Sequence, residues 1–271
     1  PPTGDAIDLR MPAPLLVPAR IGPPGEGPPA GDRAAALLAV SDGGDLIAGG
    51  GMTSASTEAA GASGFAPFAA VGGSSLRHET GSHVNVRGMN LAVGFSREVM
   101  RGNDRILFGP IVEYGRGSYD SYLDDGTHGN GKISYIGAGI LGKLTQKDGL
   151  WLEASLRAGR AKSDYSANLS GTAASYDGSN TYYGAHLGAG KTFAIKEGSS
   201  IDAYARYFWS HQNSMTATLN TGDRYEFGSV NSQRLRLGLR YSLKDKTTGE
   251  FYAGLAWEHE FAGKAGATYQ G

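Results

Sequence analysis

The sequence predicts an all-β fold, a transmembrane antiparallel up-and-down β-barrel of which about nine strands are present. Three observations carry that expectation. From Gly64 onward apolar and polar residues alternate with a period of two, the repeat of a strand whose successive side chains point to opposite faces. Short polar turns recur every 46 to 49 residues and alternate with longer connections rich in Gly, Asp, Asn, Ser and Thr, the asymmetry of an outer-membrane barrel. Glycine reaches 43 residues, against roughly 19 in an average chain of this length. Many of these glycines, such as Gly94, Gly137, Gly188 and Gly238, fall on the polar side of a strand, where a sheet curving round a filled lumen needs room.

Residues 1–32 hold nine of the eleven prolines, cannot donate a continuous hydrogen-bond ladder, and read as an extended linker. Residues 33–63 form a helical segment. Arg33 to Ser41 is the best helix former, with Asp32 placed as its cap, and a weaker stretch interrupted by Gly49, Gly50 and Gly51 follows. Its residues are small and weakly polar, which suits a segment packed inside a tube. Residues 64–271 are the barrel. Nine strands are expected at 64–78, 83–100, 105–118, 132–145, 150–166, 180–195, 200–213, 232–243 and 250–262, each about the length of a tilted membrane-spanning strand. The short turns lie at 101–104, 147–149, 196–199 and 244–249 and are taken as periplasmic; the connections 119–131, 167–179 and 214–231 are taken as extracellular loops. Nine is odd, bacterial single-chain barrels have even strand counts, and no further apolar run precedes Tyr269-Gln270-Gly271. About three strands are therefore expected to be missing.

Composition narrows the function classes. Lys and Arg total 25 against 26 Asp and Glu, so no global basic surface asks for nucleic acid. The mean hydropathy of −0.30 suits a barrel whose wet interior offsets its lipid face. Cysteine is absent, consistent with a periplasmic and surface-exposed chain. No run approaches 18 apolar residues, so a membrane would be crossed by strands.

The alternation assigns faces. Leu150, Leu152, Ala154 and Leu156 oppose Trp151, Glu153, Ser155 and Arg157; Leu235, Leu237 and Leu239 oppose Arg234, Arg236 and Arg240. The polar face, taken as lumenal, carries Glu113, Lys143, Glu153, Arg157, Asp202, Arg206, Arg234, Arg236, Arg240 and Glu258. The apolar face ends in Phe95, Phe108, Tyr114, Tyr207, Trp209, Tyr241, Phe251 and Trp257, rings suited to the membrane interface. If Leu237 faces lipid near mid-membrane, Leu237→Arg should cost about 2–4 kcal/mol; a neutral result would favour a soluble sandwich.

Read in order, several stretches resemble the autotransporter (type V secretion) C-terminal β-barrel translocator domain. They are Phe65-Ala66-Pro67-Phe68-Ala69-Ala70-Val71-Gly72-Gly73, Gly81-Ser82-His83-Val84-Asn85-Val86-Arg87-Gly88, Glu113-Tyr114-Gly115, Gly129-Asn130-Gly131, Ser134-Tyr135-Ile136-Gly137-Ala138-Gly139, Glu153-Ala154-Ser155-Leu156-Arg157-Ala158-Gly159-Arg160, and Tyr252 to Phe261. The resemblance implies a twelve-stranded barrel in the outer membrane of a Gram-negative bacterium, a helix threaded through the pore, and the export of an N-terminal passenger. The implied partners are outer-membrane lipid and lipopolysaccharide, the chain's own passenger, periplasmic chaperones and the barrel-assembly machinery, with no nucleic acid. The family's closing aromatic strand has no counterpart here.

No catalytic motif accompanies the pattern: Gly-x-Ser-x-Gly, the P-loop and His-Glu-x-x-His are absent. His259 lies between Glu258 and Glu260, but neighbours on a strand point to opposite faces and cannot converge on a metal. Self-cleavage of a passenger through lumenal acids is set against the plainer reading, acids paired with Arg157, Arg206 and Arg236. The chain is therefore expected to be neither an enzyme nor a cofactor binder. The alternatives are a porin or adhesin working through its extracellular loops, and a rim enzyme using His128 or His211, for which no nucleophile motif is found.

Overall fold

The computed structural model describes residues 40–41, 43–48, 64–79, 83–122, 128–169, 172–222, 224–245, 249–262 and 267–270. Alternating sequence becomes twelve strands: β1 (Ala66–Glu79), β2 (His83–Arg101), β3 (Asp104–Tyr122), β4 (His128–Thr145), β5 (Leu150–Leu169), β6 (Thr172–Lys196), β7 (Ser199–Gln212), β8 (Met215–Thr218), β9 (Arg224–Phe227), β10 (Val230–Asp245), β11 (Gly249–Glu260) and β12 (Ala267–Gln270). Nine of them form one antiparallel sheet in the order β1-β2-β3-β4-β5-β6-β7-β10-β11, an up-and-down meander; β12-β9-β8 form a second, small sheet.

The nine long strands coincide with the nine expected from sequence, within a few residues at the short-turn end. Three of those turns reverse through a glycine with positive φ, Gly102 (65°), Gly149 (86°) and Gly198 (78°), a conformation that a Cβ disfavours. At the second turn Asp148 accepts from the Leu150 amide and from Lys191 Nζ. These donors, the Lys191 ammonium first, hold its carboxyl below the usual carboxylate range.

The other end differs from expectation. The stretch 167–179 is largely strand: β5 and β6 stay paired from Leu150↔Lys191 out to Leu169↔Thr172. The loop 214–231 contains the β8–β9 hairpin, turning at Gly222 (φ 96°). Burial accounts for both. Tyr165 stacks on Tyr176 at 5.5 Å, Tyr176 packs on Phe227 at 5.6 Å, and Met215, Ala217, Leu219 and Tyr225 join the same buried cluster. The strands therefore continue past the expected ends because their inner side chains have a core to fill.

The sheet curves round a short helix described at residues 40–41 and 43–48, where 47 and 48 have π-helical bonding. Val40 packs into the cluster at the long-connection end, with Tyr119, Ile133 and Tyr135. Ile47 packs toward the short-turn end, with Phe68, Leu107, Ile111 and Leu141. The helix joins the end of the stronger helical stretch read from sequence, Val40 and Ser41, to the start of the weaker one; 33–39 and 49–63 fall outside the described residues. Tertiary packing, more than propensity, holds so short a helix.

Candidate functional site

The helix and the concave face of the sheet form one charged, closely packed interior. On the helix, Gly43 and Gly44 lie against the wall. A Cβ on Gly43 would sit 2.2 Å from Tyr135 Oη and 3.0 Å from Glu113 Oε2, and one on Gly44 would sit 2.6 Å from Arg157 Nη2. Only glycine lets the helix approach so closely. One turn on, Leu46 reaches Gly72 of β1, where a Cβ would lie 3.2 Å from its Cδ1.

Two ion clusters grip this helix from opposite walls. On β3 and β5, Arg157 Nη1 donates to Glu113 Oε2 at 2.9 Å while its Nη2 donates to the carbonyl of Val40 at 2.7 Å. Tyr182 Oη donates to Glu113 Oε1 at 2.6 Å, and Tyr135, edge-on to Tyr182 at 5.7 Å, donates to Asn90. Glu113 is 1% exposed and Arg157 6%. Charges so deeply buried persist only when paired and hydrogen-bonded.

On β10 and β11, Arg234 donates from Nη1 to Asp45 Oδ2 (3.1 Å) and from Nη2 to Asp45 Oδ1 (3.2 Å), a bidentate fork. Its Nη2 also reaches the Ser41 carbonyl at 3.3 Å. Arg236 Nη2 donates to Asp45 Oδ2 at 3.0 Å, and both arginines share Glu258. Two acids thus balance two arginines, whose guanidinium groups lie over Phe208 at 5.1 and 5.3 Å. A third cluster does not touch the helix. Glu153 accepts from Arg206 Nε at 2.6 Å, with Lys143 at 3.8 Å and His186 Nε2 at 3.6 Å, and His186 Nδ1 bonds Ser155 Oγ at 2.6 Å. Asp202 takes hydrogen bonds from Trp151 and Thr192, and Arg240 stands opposite it in the β10–β7 register.

All ten polar residues named from sequence, Glu113, Lys143, Glu153, Arg157, Asp202, Arg206, Arg234, Arg236, Arg240 and Glu258, lie on this concave face and are buried or half-buried. On the opposite, convex face Phe95, Phe108, Tyr114, Tyr207, Tyr241 and Trp257 are exposed. Trp209 is half-exposed beside His211, and the side chain of Phe251 lies outside the described residues. His259 is on the convex face, stacked on Trp257 and edge-on to Phe261, away from Glu258. The sequence reading missed Gly43, Gly44, Asp45, Tyr135 and Tyr182. A Gly-Gly-Asp run inside a helical stretch was the one available signal, since glycine and aspartate both weaken a helix and need another reason to be there.

Residues 49–271 match a family model described as the autotransporter beta-domain. The chain is 25% identical over 154 residues to the autotransporter adhesin/invasin TibA of Escherichia coli O78:H11, covering 54% of this chain and 16% of that protein. It is 24% identical over 162 residues to the autotransporter CRAC of Citrobacter rodentium, covering 58% of this chain and 10% of that one. The match thus spans less than a fifth of either relative. Among solved structures, the β domain of the Bordetella autotransporter BrkA superposes with a TM-score of 0.61 at 21% identity, covering 73% of this chain and 81% of that one. The translocator domain of NalP from Neisseria meningitidis gives 0.61 at 17% identity, with 87% and 81% covered.

Proposed function

The chain belongs to the autotransporter beta-domain family, and from that premise we propose that it anchors an N-terminal passenger in the outer membrane and guides it to the cell surface. The observation that supports this most is the direction of the helix. Its first described residue, Val40, is at the long-connection end of the sheet and Ile47 is toward the short-turn end. The following strand β1 starts at that short-turn end, with Ala66 opposite Ser96. A chain entering the helix from its N-terminal side therefore arrives from the long-connection mouth. With the short turns in the periplasm, that mouth opens outside the cell, and the passenger is on the surface.

The convex face supports the membrane part of the reading. Apolar positions run from Ile106 to Tyr114, Ile136 to Leu144, Leu150 to Ala158, Ile201 to Trp209 and Leu235 to Leu243, nine residues in each case, close to the roughly 9–11 of a tilted spanning strand. In this reading the ten polar residues line a filled lumen and the eight aromatic residues mark the membrane interfaces. Residues 1–32 link the passenger to the 33–63 pore segment, and 64–271 belong to the barrel. Export and anchoring, without catalysis, are the work; the assembly machinery and periplasmic chaperones deliver the barrel, and outer-membrane lipid surrounds it. A porin would need an open channel where the helix lies.

An epitope tag inserted just before residue 33 of the natural full-length protein should bind antibody on intact cells. Binding only after the outer membrane is permeabilised would reverse the orientation and overturn the export reading. The exposed Leu237 and the buried-face Arg236 are adjacent on β10, so Leu237→Arg is expected to lower the heat stability of the folded barrel by about 2–4 kcal/mol.

A further inference from the structure

The convex face is not uniform round the barrel. On β2, β3, β4 and β5, the polar positions beyond the apolar band, on the long-connection side, are Arg87, Arg116, Lys132, Arg160 and Lys162, all exposed. The registers place them together. Arg116 is opposite Met89 and Ser134, one diagonal step from Arg87 and Lys132, which both stand opposite Ser118. Lys162 pairs with Ser134 and Arg160 with Ile136. Diagonal neighbours are about 7–8 Å apart, and three strand spacings of about 4.8 Å with the offset along the strands spread the five cations over roughly 20 Å.

Among the described residues none of the five enters an ion pair. Three acids share this face: Asp120, one diagonal step from Arg87 and Lys132 and 3.6 Å from His128; Asp164, which accepts from the Lys132 backbone amide at 2.7 Å; and Asp177, opposite Asp164. At the same level the convex faces of β6, β7, β10 and β11 carry Thr181, His211, Gln233 and His259, with no lysine or arginine. The patch is therefore a local feature of one quadrant and not a girdle. The five cations outnumber the three acids on this face, and at the edge of hydrocarbon an unbalanced charge is costly without an anion. Directly beneath them Val112, Ile136, Ile140, Leu152 and Leu156 are exposed, a wall against which acyl chains can lie.

We propose that the convex face of β2–β5 is a binding site for a phosphorylated glycolipid of the outer leaflet. Its phosphates sit among Arg87, Arg116, Lys132, Arg160 and Lys162, and its acyl chains lie along the apolar wall below. Arginine forks match phosphate oxygens two at a time, and lysine adds a mobile point charge. A lipid with both anionic head and several chains satisfies the whole surface, whereas a zwitterionic phospholipid meets its apolar half only. The site rests on the outer-membrane orientation proposed above.

The test is native mass spectrometry of the full-length protein extracted from outer membranes in mild detergent, comparing wild type with the triple variant Arg116→Ser, Lys132→Ser, Lys162→Ser. Wild type should retain phosphorylated glycolipid and the triple variant about fivefold less or lower, while Arg97→Ser, an exposed cation at the opposite rim, should leave retention unchanged. After stripping, lipid A should rebind, its dephosphorylated form should not, and inorganic phosphate at equal concentration should not displace it. Equal retention by the triple variant, equal rebinding of the dephosphorylated lipid, or displacement by inorganic phosphate would overturn the site. Should the triple variant fail to assemble, the three single variants are read in the same way, each expected at about half of wild-type retention. A wild-type protein absent from the outer-membrane fraction sinks the underlying membrane reading instead.

Discussion

Arg157→Ala is expected to destabilise the folded barrel by about 3–5 kcal/mol, read as the loss of heat-resistant compact mobility on gels of the full-length protein. The reason is what the substitution leaves behind. Glu113 is 1% exposed and, of its two donors, would keep the Tyr182 hydroxyl alone. The Val40 carbonyl would also lose its donor. Removing one member of a buried pair costs more than the pair contributes, because the remaining charge stays desolvated. Two further variants separate this from simple loss of packing. Arg157→Lys keeps the charge but not the guanidinium's ability to reach both Glu113 and Val40, and should recover part of the loss. Arg157→Met combined with Glu113→Gln removes both charges and should be markedly more stable than Arg157→Ala. Equal destabilisation by the single and double changes would refute the account.

Asp45→Lys should release the helix from the lumen while the nine-stranded sheet persists. Asp45 is the only helix side chain that draws Arg234 and Arg236 onto the helix among the described ion pairs. A lysine in its place would put a third cation beside them, and Glu258 alone cannot balance three. A cost of about 3–5 kcal/mol is comparable to what a short packed helix gains. The readout is a disulfide between Leu46→Cys and Gly72→Cys, since a Cβ added at Gly72 would lie 3.2 Å from the Leu46 side chain. The bridge should form readily in an otherwise natural protein and drop sharply when Asp45→Lys is added. Undiminished cross-linking would mean that the apolar contacts of Ile47 and Leu46 hold the helix without its charge.

How legible the fold was depended on what each segment is buried against. The nine long strands could be read directly because every second residue faces away from the interior. That alternation is local: Leu235, Leu237 and Leu239 against Arg234, Arg236 and Arg240 need no knowledge of any other strand. The short turns were equally plain, since Gly102, Gly149 and Gly198 adopt backbone angles that favour glycine. The far ends were not. In 172–179, Thr, Ser, Asp and Gly read as loop, yet Ala174 and Tyr176 are buried. The β8–β9 hairpin has strands of four residues, too short to stand out by period alone. Its burial depends on Tyr176, remote in the chain.

Of the interior, the polar residues that share the concave face can be read from alternation alone, because strand alternation does not depend on partners. It also marked the aromatic residues of the opposite face. Only the tertiary structure decided how those charges combine. Arg234 meets Asp45 across 189 positions of chain, and Arg157 meets Val40 across 117; no local pattern encodes such pairs. It also turned Gly43 and Gly44 from weak points of a helix into its contact surface with Tyr135, Glu113 and Arg157. The physical reason is the same in each case. Alternation and turn geometry are properties of neighbouring residues, whereas the pairing of a buried charge is settled by whichever opposite charge the curved sheet brings within hydrogen-bonding distance.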